Sequence, residues 1–488
     1  MSNIENALNS IIEAEGHTYV PEASLRRMMR LKPNDKITGM DSLIRAGNIK
    51  VVAKGNNYYF STAEIDRFEN EIADNVKRIL RAKVDKVPEE TIERYISEFD
   101  SKSTLDPMQR KAILKAVNSP FFILTGGPGT GKTYTLNGID YVLRKALGVS
   151  ISYTAPTGKA ARRIKEATGN DATTLHKKIG YYQRNAVTKY VSEDVLIVDE
   201  SSMLDNEIAA ATLKTIFSGN RIILVGDVDQ LPSVGAGAVL RDLIASGVIP
   251  TVKLTKTFRQ KGESLILDNM KNIRDGIQKL DSSKEKAFII TRPDETRLTP
   301  TDWMLYAFIH QVNRFGIDNV ALLTPYRRMQ YKTGAEYMNL LIQSKVNPDN
   351  KGIKCGAVEY RLNDRVMQLE NRAECANGDV GEIVDVMPYG VTVQYVDGTV
   401  NYSNGELRQL ALAYAMSVHK SQGSEYKAVI SCLLNEHKMM LQRNLLYTAV
   451  TRAKEEFSIL CEDNAVRTAI ANEASSKRIT MLQERLKR

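Results

Sequence analysis

Apolar positions in the first hundred residues recur at three- and four-residue intervals, the spacing of one helix face. "NIENALNSIIEAEG" reads as a helix stopped at Gly16, and "PEASLRRMMRL" as a second that opens on Pro21 and an acid. "NDKITGMDSLIRAG" reads as a third, closed by Gly47. "NIKVVAKGNNYYFS" then alternates and turns at "KGNN", a hairpin signal. Residues 62–100 give one or two charged amphipathic helices. From about residue 105 the period changes. Short apolar runs ("FFILTG", "SISYTAP", "VLIVDE", "RIILVGD", "VALLTP", "AVISCLL") alternate with helical stretches. That alternation predicts parallel sheets flanked by helices, and there are runs enough for two.

Between the two α/β stretches the pattern differs again. "DRVMQLEN", "GDVGEIVDVMP" and "VTVQYVDGTVNYS" are successive short strands with a tight turn at "VDGTV". The predicted organisation is a winged-helix-like N-terminal unit at 1–61 and a helical connector at 62–104. A first α/β domain follows at 105–262, and a second at 263–349 and 408–488 is interrupted by a small β-barrel at 350–407. The winged-helix-like unit has two open readings, DNA binding and an accessory packing module.

A chain of 488 residues suits about three or four domains of ordinary size. It is 43% hydrophobic and 26% charged, as in a globular chain. No apolar run approaches the length of a membrane span. The acid-bearing start "MSNIENALNSIIEAEG" lacks the pattern of a secretory leader. The four cysteines are scattered without a C-x-x-C pair, which argues against a zinc site or disulfide framework and for a reducing interior. A formal net charge of +9 admits both simple solubility and a polyanionic partner.

The most specific chemistry lies in "FFILTGGPGTGKTYTL", which spells strand, glycine-rich loop and helix start. The loop Gly126, Gly127, Pro128, Gly129, Thr130, Gly131 and the following Lys132, Thr133 and Tyr134 suit a nucleotide's phosphates, every residue but Pro128 having a backbone N–H to donate. Lys132 is placed for the β- and γ-phosphates, and Thr133 for Mg²⁺. In "VLIVDESSM" four apolar residues make a buried strand with Asp199 and Glu200 at its end. Asp199 is the candidate metal carboxylate and Glu200 the base that activates water. In "RIILVGDVDQLPSVGAG", Gln230 leaves another strand tip; it is either a γ-phosphate sensor or an ordinary polar loop residue. Gln109 in "LDPMQRKAI" can offer a paired donor and acceptor to an adenine edge. Arg259 in "LTKTFRQ" and Arg452 in "LLYTAVTRAKE" are the candidates for positive charge at the transferring phosphate.

The order "GGPGTGKT", "TAPTGKAARR", "VDESSM", "LVGDVDQLPSVGAG", "LTKTFRQ", "AYAMSVHKSQGSEY", "LLYTAVTRAK" resembles superfamily 1 helicases of the RecD-like group, with the phage Dda helicase as a relative. The resemblance covers about residues 105–465. It implies two RecA-like motor domains that use ATP and Mg²⁺, with an SH3-like barrel inserted in the second. By motif position Gln109 contacts adenine and Phe258 stacks on it. Gln230 couples the γ-phosphate to the DNA track, Arg259 and Arg452 are arginine fingers, and Gly423 and Glu425 meet the nucleotide from the second domain. Ser417 stands where the family usually has Thr, and Tyr426 where it often has Phe; hydroxyl and ring are kept. "DQLPSVGAG" lacks the aromatics of the 3′-to-5′ relatives, so the resemblance implies 5′-to-3′ movement.

The resemblance also implies a single-stranded DNA track. It takes in Pro156, Thr157 and Lys159, then Thr174 and His176, then Pro325, Tyr326 and Arg327, and finally Ser417, His419, Lys420 and Ser421. These residue types suit phosphate contacts, which hold a strand without reading it. Without the motifs the two histidines read as ordinary core or surface residues. Residues 178–194 fit a strand-separating hairpin, with "IGYYQ" and "TKYVS" flanking "RNAV". Its Tyr181, Tyr182 and Tyr190 either stack on bases or pack the hairpin base. The expected activity is ATP-dependent unwinding of duplex DNA by a monomer acting at single-/double-strand junctions. A translocase that displaces proteins or acts on RNA is the alternative. Replication, recombination and repair all remain open, with partners of those processes reached through the N-terminal unit. The expected setting is cytoplasmic, at the nucleoid or in a host cell if phage-encoded. A GTPase switch would carry N-K-x-D and an ABC-type ATPase L-S-G-G-Q; the sequence has neither. A non-catalytic adaptor is opposed by the intact Lys132, Glu200 and both arginines.

Overall fold

The computed structural model describes residues 2–32, 35–101, 104–181, 187–258, 264–372, 374–473 and 477–488. The chain divides into two compact units. One comprises 1–156, 164–259 and 474–488, and the other 157–163 and 260–473.

In the first unit the chain starts with the helix Asn3–Glu15. Ser2 Oγ accepts the Glu5 N–H, and the Glu5 carboxylate accepts the Ser2 N–H, which satisfies both ends of a capping box. Gly16, at φ 70°, ends the helix with its N–H on Ile12 C=O. Shorter helices follow at Glu22–Met28 and Met40–Arg45, then the hairpin Ile49–Lys54 and Asn57–Thr62. The turn falls at "KGNN" as the sequence predicts. The two-residue strand Val20–Pro21, absent from the sequence reading, pairs with Asn57–Thr62 and makes the sheet three-stranded. Ile4, Leu8, Ile11, Val20, Leu25, Ile49 and Phe60 form this part's core.

The helix Ala63–Arg81 is more than a connector. Its Phe68, Ile72, Val76 and Ile79 share one buried cluster with Phe121 and Ile123, Leu196 and Ile222 of the following α/β sheet. That sheet has six parallel strands. Their order is Ala172–Thr174, Ile151–Ala155, Val195–Val198, Arg221–Gly226, Phe121–Gly126, Thr251–Leu254. The middle strands are buried along their whole length, which is why they read as unbroken apolar runs. Residues 477–488, expected with the second α/β domain, pack here instead. Leu482 and Leu486 enter the same core cluster, and Arg485 pairs with the Asp66 carboxylate.

The second unit has a five-stranded parallel sheet, ordered Phe288–Thr291, Ala453–Cys461, Tyr426–Leu433, Val320–Thr324, Ala415–Ser417. An antiparallel sheet accompanies it, ordered Gly398–Ser403, Gly390–Tyr395, Val380–Met387, Arg365–Gln368, Leu410–Leu412. The first and last of these are edges: among the described residues no ladder joins them. The expected insert boundary at 407 therefore moves. The apolar run "LALAYAM" is split, with Leu410–Leu412 completing the antiparallel sheet and Ala415–Ser417 edging the parallel one. Both sheets draw on one core that unites Phe308, Leu322 and Ile430 with Val366, Ile383 and Val393.

Candidate functional site: a phosphate loop, its carboxylates and a polar track

The strands Phe121–Gly126, Arg221–Gly226 and Val195–Val198 are parallel neighbours, so the segments that follow them leave one edge of the sheet. Gly126 has no room for a side chain: a Cβ would meet Leu254 C=O and Thr130 Oγ1, each at 2.8 Å. Gly131 caps the helix Lys132–Leu147 at φ 79°, a left-handed conformation that favours glycine. Thr130 Oγ1 donates to Gly127 C=O (2.8 Å) and Lys132 Nζ to Gly126 and Gly127 C=O (2.7 and 3.1 Å). Loop and lysine thus form one hydrogen-bonded ring over a helix N-terminus, an arrangement suited to anionic oxygens.

At the next strand tips stand the carboxylates. Glu200 N–H donates to Asp199 Oδ1 at 2.8 Å, and Glu200 itself adopts φ 51°, ψ 38°. A non-glycine residue held in the left-handed region is strained, and such strain persists where the surroundings impose it. Here Ser201 imposes it: its buried hydroxyl donates to Val198 and Val225 C=O, at 2.7 and 2.8 Å, pinning the turn to two strands. Asp227 is fully buried, and burial raises its carboxyl above the usual range while the charge of Lys132 opposes that rise. Gln230 is buried beside it, Nε2 3.4 Å from Asp227 Oδ2. Gln109 is also buried, and both ends of its amide are in use. Oε1 accepts the Asp106 N–H (2.9 Å) and Nε2 donates to Thr130 C=O (3.2 Å), tying the preceding helix cap to the loop. Phe258 N–H donates to Gly129 C=O at 2.7 Å while its ring stays 44% exposed at the loop, with the Lys256 ammonium over it 5.2 Å from the centroid. Tyr134 turns away: its ring packs on Phe99 and its hydroxyl lies 3.1 Å from Thr104 Oγ1.

Within the second unit Gly423 is at φ 73°, and a Cβ would lie 3.1 Å from Ala160 and 3.4 Å from Thr157 Oγ1. Glu425 is held by Arg163 (2.8 Å) and Lys454 (3.4 Å). Arg452 is buried and its guanidinium donates to Thr448 C=O, Ser424 C=O and Thr451 Oγ1. The expected finger is thus bonded to its own helix and to the Gly423 loop.

Several expected track residues are committed to other partners. Lys159 Nζ donates to the buried Tyr426 hydroxyl at 2.9 Å and lies over its ring. Ser421 is fully buried with its hydroxyl on Val418 C=O, so it is not a surface for DNA. The segment Val418–Ser421 is a short 3₁₀ turn, which rotates Ser421 inward. Lys420 Nζ meets Asn377 Oδ1 at 2.8 Å, and burial, with Arg327 nearby, lowers its pKa. Thr174 serves as a helix cap for Lys177 N–H, and burial lowers the His176 pKa. Pro156, Thr157, Ser417 and His419 are half-buried, Pro325 is buried, and Arg327 is exposed and paired with Glu336 at 3.0 Å. Tyr326 stacks on Tyr331, with centroids 4.0 Å apart. Tyr331 was missed, although a second tyrosine in "PYRRMQY" was the available signal.

The expected hairpin at 178–194 is not seen in its described part. His176 lies in the helix Leu175–Ile179, and residues 187–194 form no strand. Among the described residues one backbone bond, Lys189 N–H to Ile179 C=O (2.7 Å), and the Lys178–Glu193 ion pair (2.6 Å) join the two arms. Thr174 caps the start of that helix and Gly180, at φ 68°, ends it, so "LHKKI" is one short helix rather than a strand. Tyr181 is buried with its hydroxyl on Glu207, and Tyr190 stacks on Phe217. Tyr182 and Arg259 lie outside the described residues.

Comparison with known proteins fits this geometry. Residues 104–294 match the model of an AAA domain, and residues 412–460 that of a UvrD-like helicase C-terminal domain. The ATP-dependent RecD2 DNA helicase of Deinococcus radiodurans is 34% identical over 366 residues, 74% of this chain and 50% of that protein. The RecBCD enzyme subunit RecD of Mycolicibacterium smegmatis is 30% identical over 424 residues, 78% of this chain and 74% of that subunit. The chain belongs to the RecD-like group of superfamily 1 helicases. It spans only half the length of its Deinococcus relative. A solved structure of two Pif1 helicases at forked duplex DNA shares the fold, with a TM-score of 0.50 and 20% identity over 74% of this chain and 94% of that one.

The RecD-like assignment places the phosphate loop and both carboxylate-bearing tips in the matched AAA domain, and Gly423, Glu425 and Arg452 in the matched C-terminal domain. No described helix is long and apolar enough to cross a membrane.

Proposed function

We propose that this RecD-like chain is an ATP-dependent DNA helicase that moves 5′ to 3′ on single-stranded DNA. The observation that supports it is the placing of the Lys132 loop, Asp199, Glu200, Asp227 and Gln230 on consecutive tips of one parallel sheet. Lys132 neutralises β- and γ-phosphate charge, and Glu200, preset by its strained turn, takes the proton of the attacking water. Gln230 senses the γ-phosphate, Phe258 stacks on the base and Gln109 meets its edge. Arg259 and Arg452 supply positive charge; for Arg452 this requires its present carbonyl partners to be exchanged.

The donor set fits Mg²⁺. Thr133 and Asp199 give one hydroxyl and one carboxylate, and Mg²⁺ commonly takes one or two carboxylates with the substrate's phosphates and water. Among the described residues there is no cluster of three or more acidic, histidine or cysteine ligands, so a site made of protein alone does not compete. When bound, the ion supplies charge stabilisation at the phosphates.

On the DNA side, the reading assigns the backbone grip to Pro156, Thr157, His176, Tyr326, Arg327, Ser417 and His419. The net charge of +9 suits a polyanionic track. Replication, recombination and repair all stay open as settings, and the N-terminal unit is the candidate winged-helix-like site for a partner or for DNA.

The direct test is ATP hydrolysis with and without single-stranded DNA. Strong stimulation supports a motor, while hydrolysis indifferent to DNA favours a switch or an adaptor. Stimulated hydrolysis without duplex unwinding would support the translocase reading.

A further inference from the structure

The loop that follows Gln230, residues 231–237, is held from outside the motor motifs by one side chain. Arg478 Nη1 donates to Ser233 Oγ (3.1 Å), Gly235 C=O (2.9 Å) and Gly237 C=O (2.7 Å), and Nη2 to Ser233 C=O (2.7 Å). Four hydrogen bonds from the two terminal nitrogens of one planar fork thus land on three residues of a five-residue span. The same loop gives Gly237 N–H to Gly16 C=O and receives Asn206 N–H on Ala236 C=O, both at 3.0 Å. Gly235 and Gly237 are bare where a Cβ would meet the Asp205 carboxylate (2.3 Å) and the Asn206 amide (2.0 Å). The loop is therefore compressed against the helix behind it. Its inward carbonyls are satisfied by Arg478.

Arg478 is itself fixed. Its carbonyl accepts from Arg241 at 2.9 Å. The next residue, Ile479, accepts the Thr18 and Tyr19 N–H groups (3.0 and 3.2 Å) and donates its own N–H to His17 Nδ1 (3.0 Å). Among the described residues the hydrogen bonds of the guanidinium go to neutral oxygens. Burial pulls its pKa down to about 10, with Arg241 acting in the same direction and Asp205 against it. A guanidinium desolvated against carbonyls is costly unless its fork geometry is used. Arg478 lies outside both matched domains, 104–294 and 412–460, and no motif of the sequence pointed to it.

We propose that Arg478 is a positioning residue for DNA-coupled ATP turnover: by clamping residues 231–237 it fixes the buried stretch that carries Gln230. Gln230, Leu231 and Ser233 are all buried, so the loop cannot shift at Ser233 without disturbing the packing at Gln230. The inference rests on the reading of Gln230 as γ-phosphate sensor. Arg478 touches neither nucleotide nor DNA in this account and acts only through the loop.

Two measurements on the full chain test it, with Arg478→Lys, which keeps the charge but loses the fork, and Arg478→Ala. The first is amide hydrogen exchange without nucleotide. Residues 231–237 should exchange faster in both variants while the strand 221–226 stays protected. The second is steady-state ATPase against single-stranded DNA concentration. Basal kcat and KM for ATP should hold, and DNA-stimulated kcat should fall by about tenfold, the equivalent of one lost charge-assisted hydrogen bond. Unchanged exchange in the loop overturns the clamp. Faster exchange with stimulated kcat intact, or with basal and stimulated rates lowered alike, reduces Arg478 to a structural staple. Full rescue by lysine shows that charge, not the fork, matters, and also overturns it. If Arg478→Ala fails to fold, Arg478→Lys and Ser233→Ala carry the same comparison. A wild-type chain with no DNA stimulation refutes the helicase reading, and the exchange data still decide the clamp.

Discussion

Glu69 offers a sharp test of how residues 477–488 are held. It lies on the helix Ala63–Arg81 with no exposed surface. Its carboxylate accepts from the Thr18 hydroxyl and from Met481 N–H at 3.1–3.2 Å, with Arg485 Nε 3.6 Å away. Burial outweighs these partners and raises its pKa from 4.5 to about 7. Because the folded pKa is raised, the docked state binds more protons between those two values. The group's stabilisation is complete below pH 4.5 and is lost as pH rises through 7. The displacement is worth about 3 kcal/mol across that window, at most about 1.4 kcal/mol per pH unit. Glu69→Gln keeps an acceptor for Met481 N–H and cannot ionise. Hydrogen exchange of residues 477–488, corrected for intrinsic rates, should show wild-type protection falling from pH 5.5 to 7.5 relative to the variant. Above pH 7 the variant should be at least as well protected. A difference that is flat or rises with pH refutes the reasoning.

The remaining predictions concern the motor. Lys132→Ala should abolish hydrolysis, and Glu200→Gln should keep nucleotide binding while kcat falls by about 10²–10⁴-fold; normal turnover in the Gln variant would remove Glu200 as the base. Gly131→Ala should cost about 1–3 kcal/mol of local strain, since its φ is 79° and the new Cβ would lie 2.4 Å from Gln109 Nε2. Equilibrium titration with a fluorescent ATP analogue should show the weakened affinity. Tyr326→Ala should raise the single-stranded DNA concentration for half-maximal stimulation by about tenfold if its ring, stacked on Tyr331, supports a base. Equal DNA affinity would make the pair purely structural.

What the sequence made legible follows the physics of each signal. The six apolar runs became strands because buried parallel strands are continuously apolar, and the phosphate loop was plain because glycine, lysine and threonine are needed at fixed spacing. The short strands Ala172–Thr174 and Phe288–Thr291 were not legible: three or four residues at a sheet margin carry no period. Nothing in the composition of the apolar run "LALAYAM" shows that Leu410–Leu412 and Ala415–Ser417 serve different sheets. Motif position suggested DNA for Lys159 and Ser421, but in the folded chain one meets a buried tyrosine hydroxyl and the other a backbone carbonyl. Arg478 and Arg485 were invisible for a related reason. Their partners are carbonyls and acids hundreds of residues away, and a lone arginine near the end of the numbered chain carries no local signature.

The segment "SVHKSQGSEY" shows the same division. Its expected double role toward fuel and track is narrowed: Ser421 faces inward, Gly423 passes close to Thr157 and Ala160, and Glu425 is gripped by Arg163 and Lys454. Arginine and lysine on either side of Glu425 make it a link within the second unit before it is a nucleotide contact.

The central claim is directional unwinding driven by ATP. Strand displacement by the full chain, with ATP and Mg²⁺, on duplexes bearing a 5′ tail, a 3′ tail or blunt ends tests it most directly. The account predicts unwinding of the 5′-tailed duplex, little of the others, and none with Lys132→Ala. Unwinding that prefers the 3′ tail, or none of the 5′-tailed duplex despite DNA-stimulated hydrolysis, would contradict it.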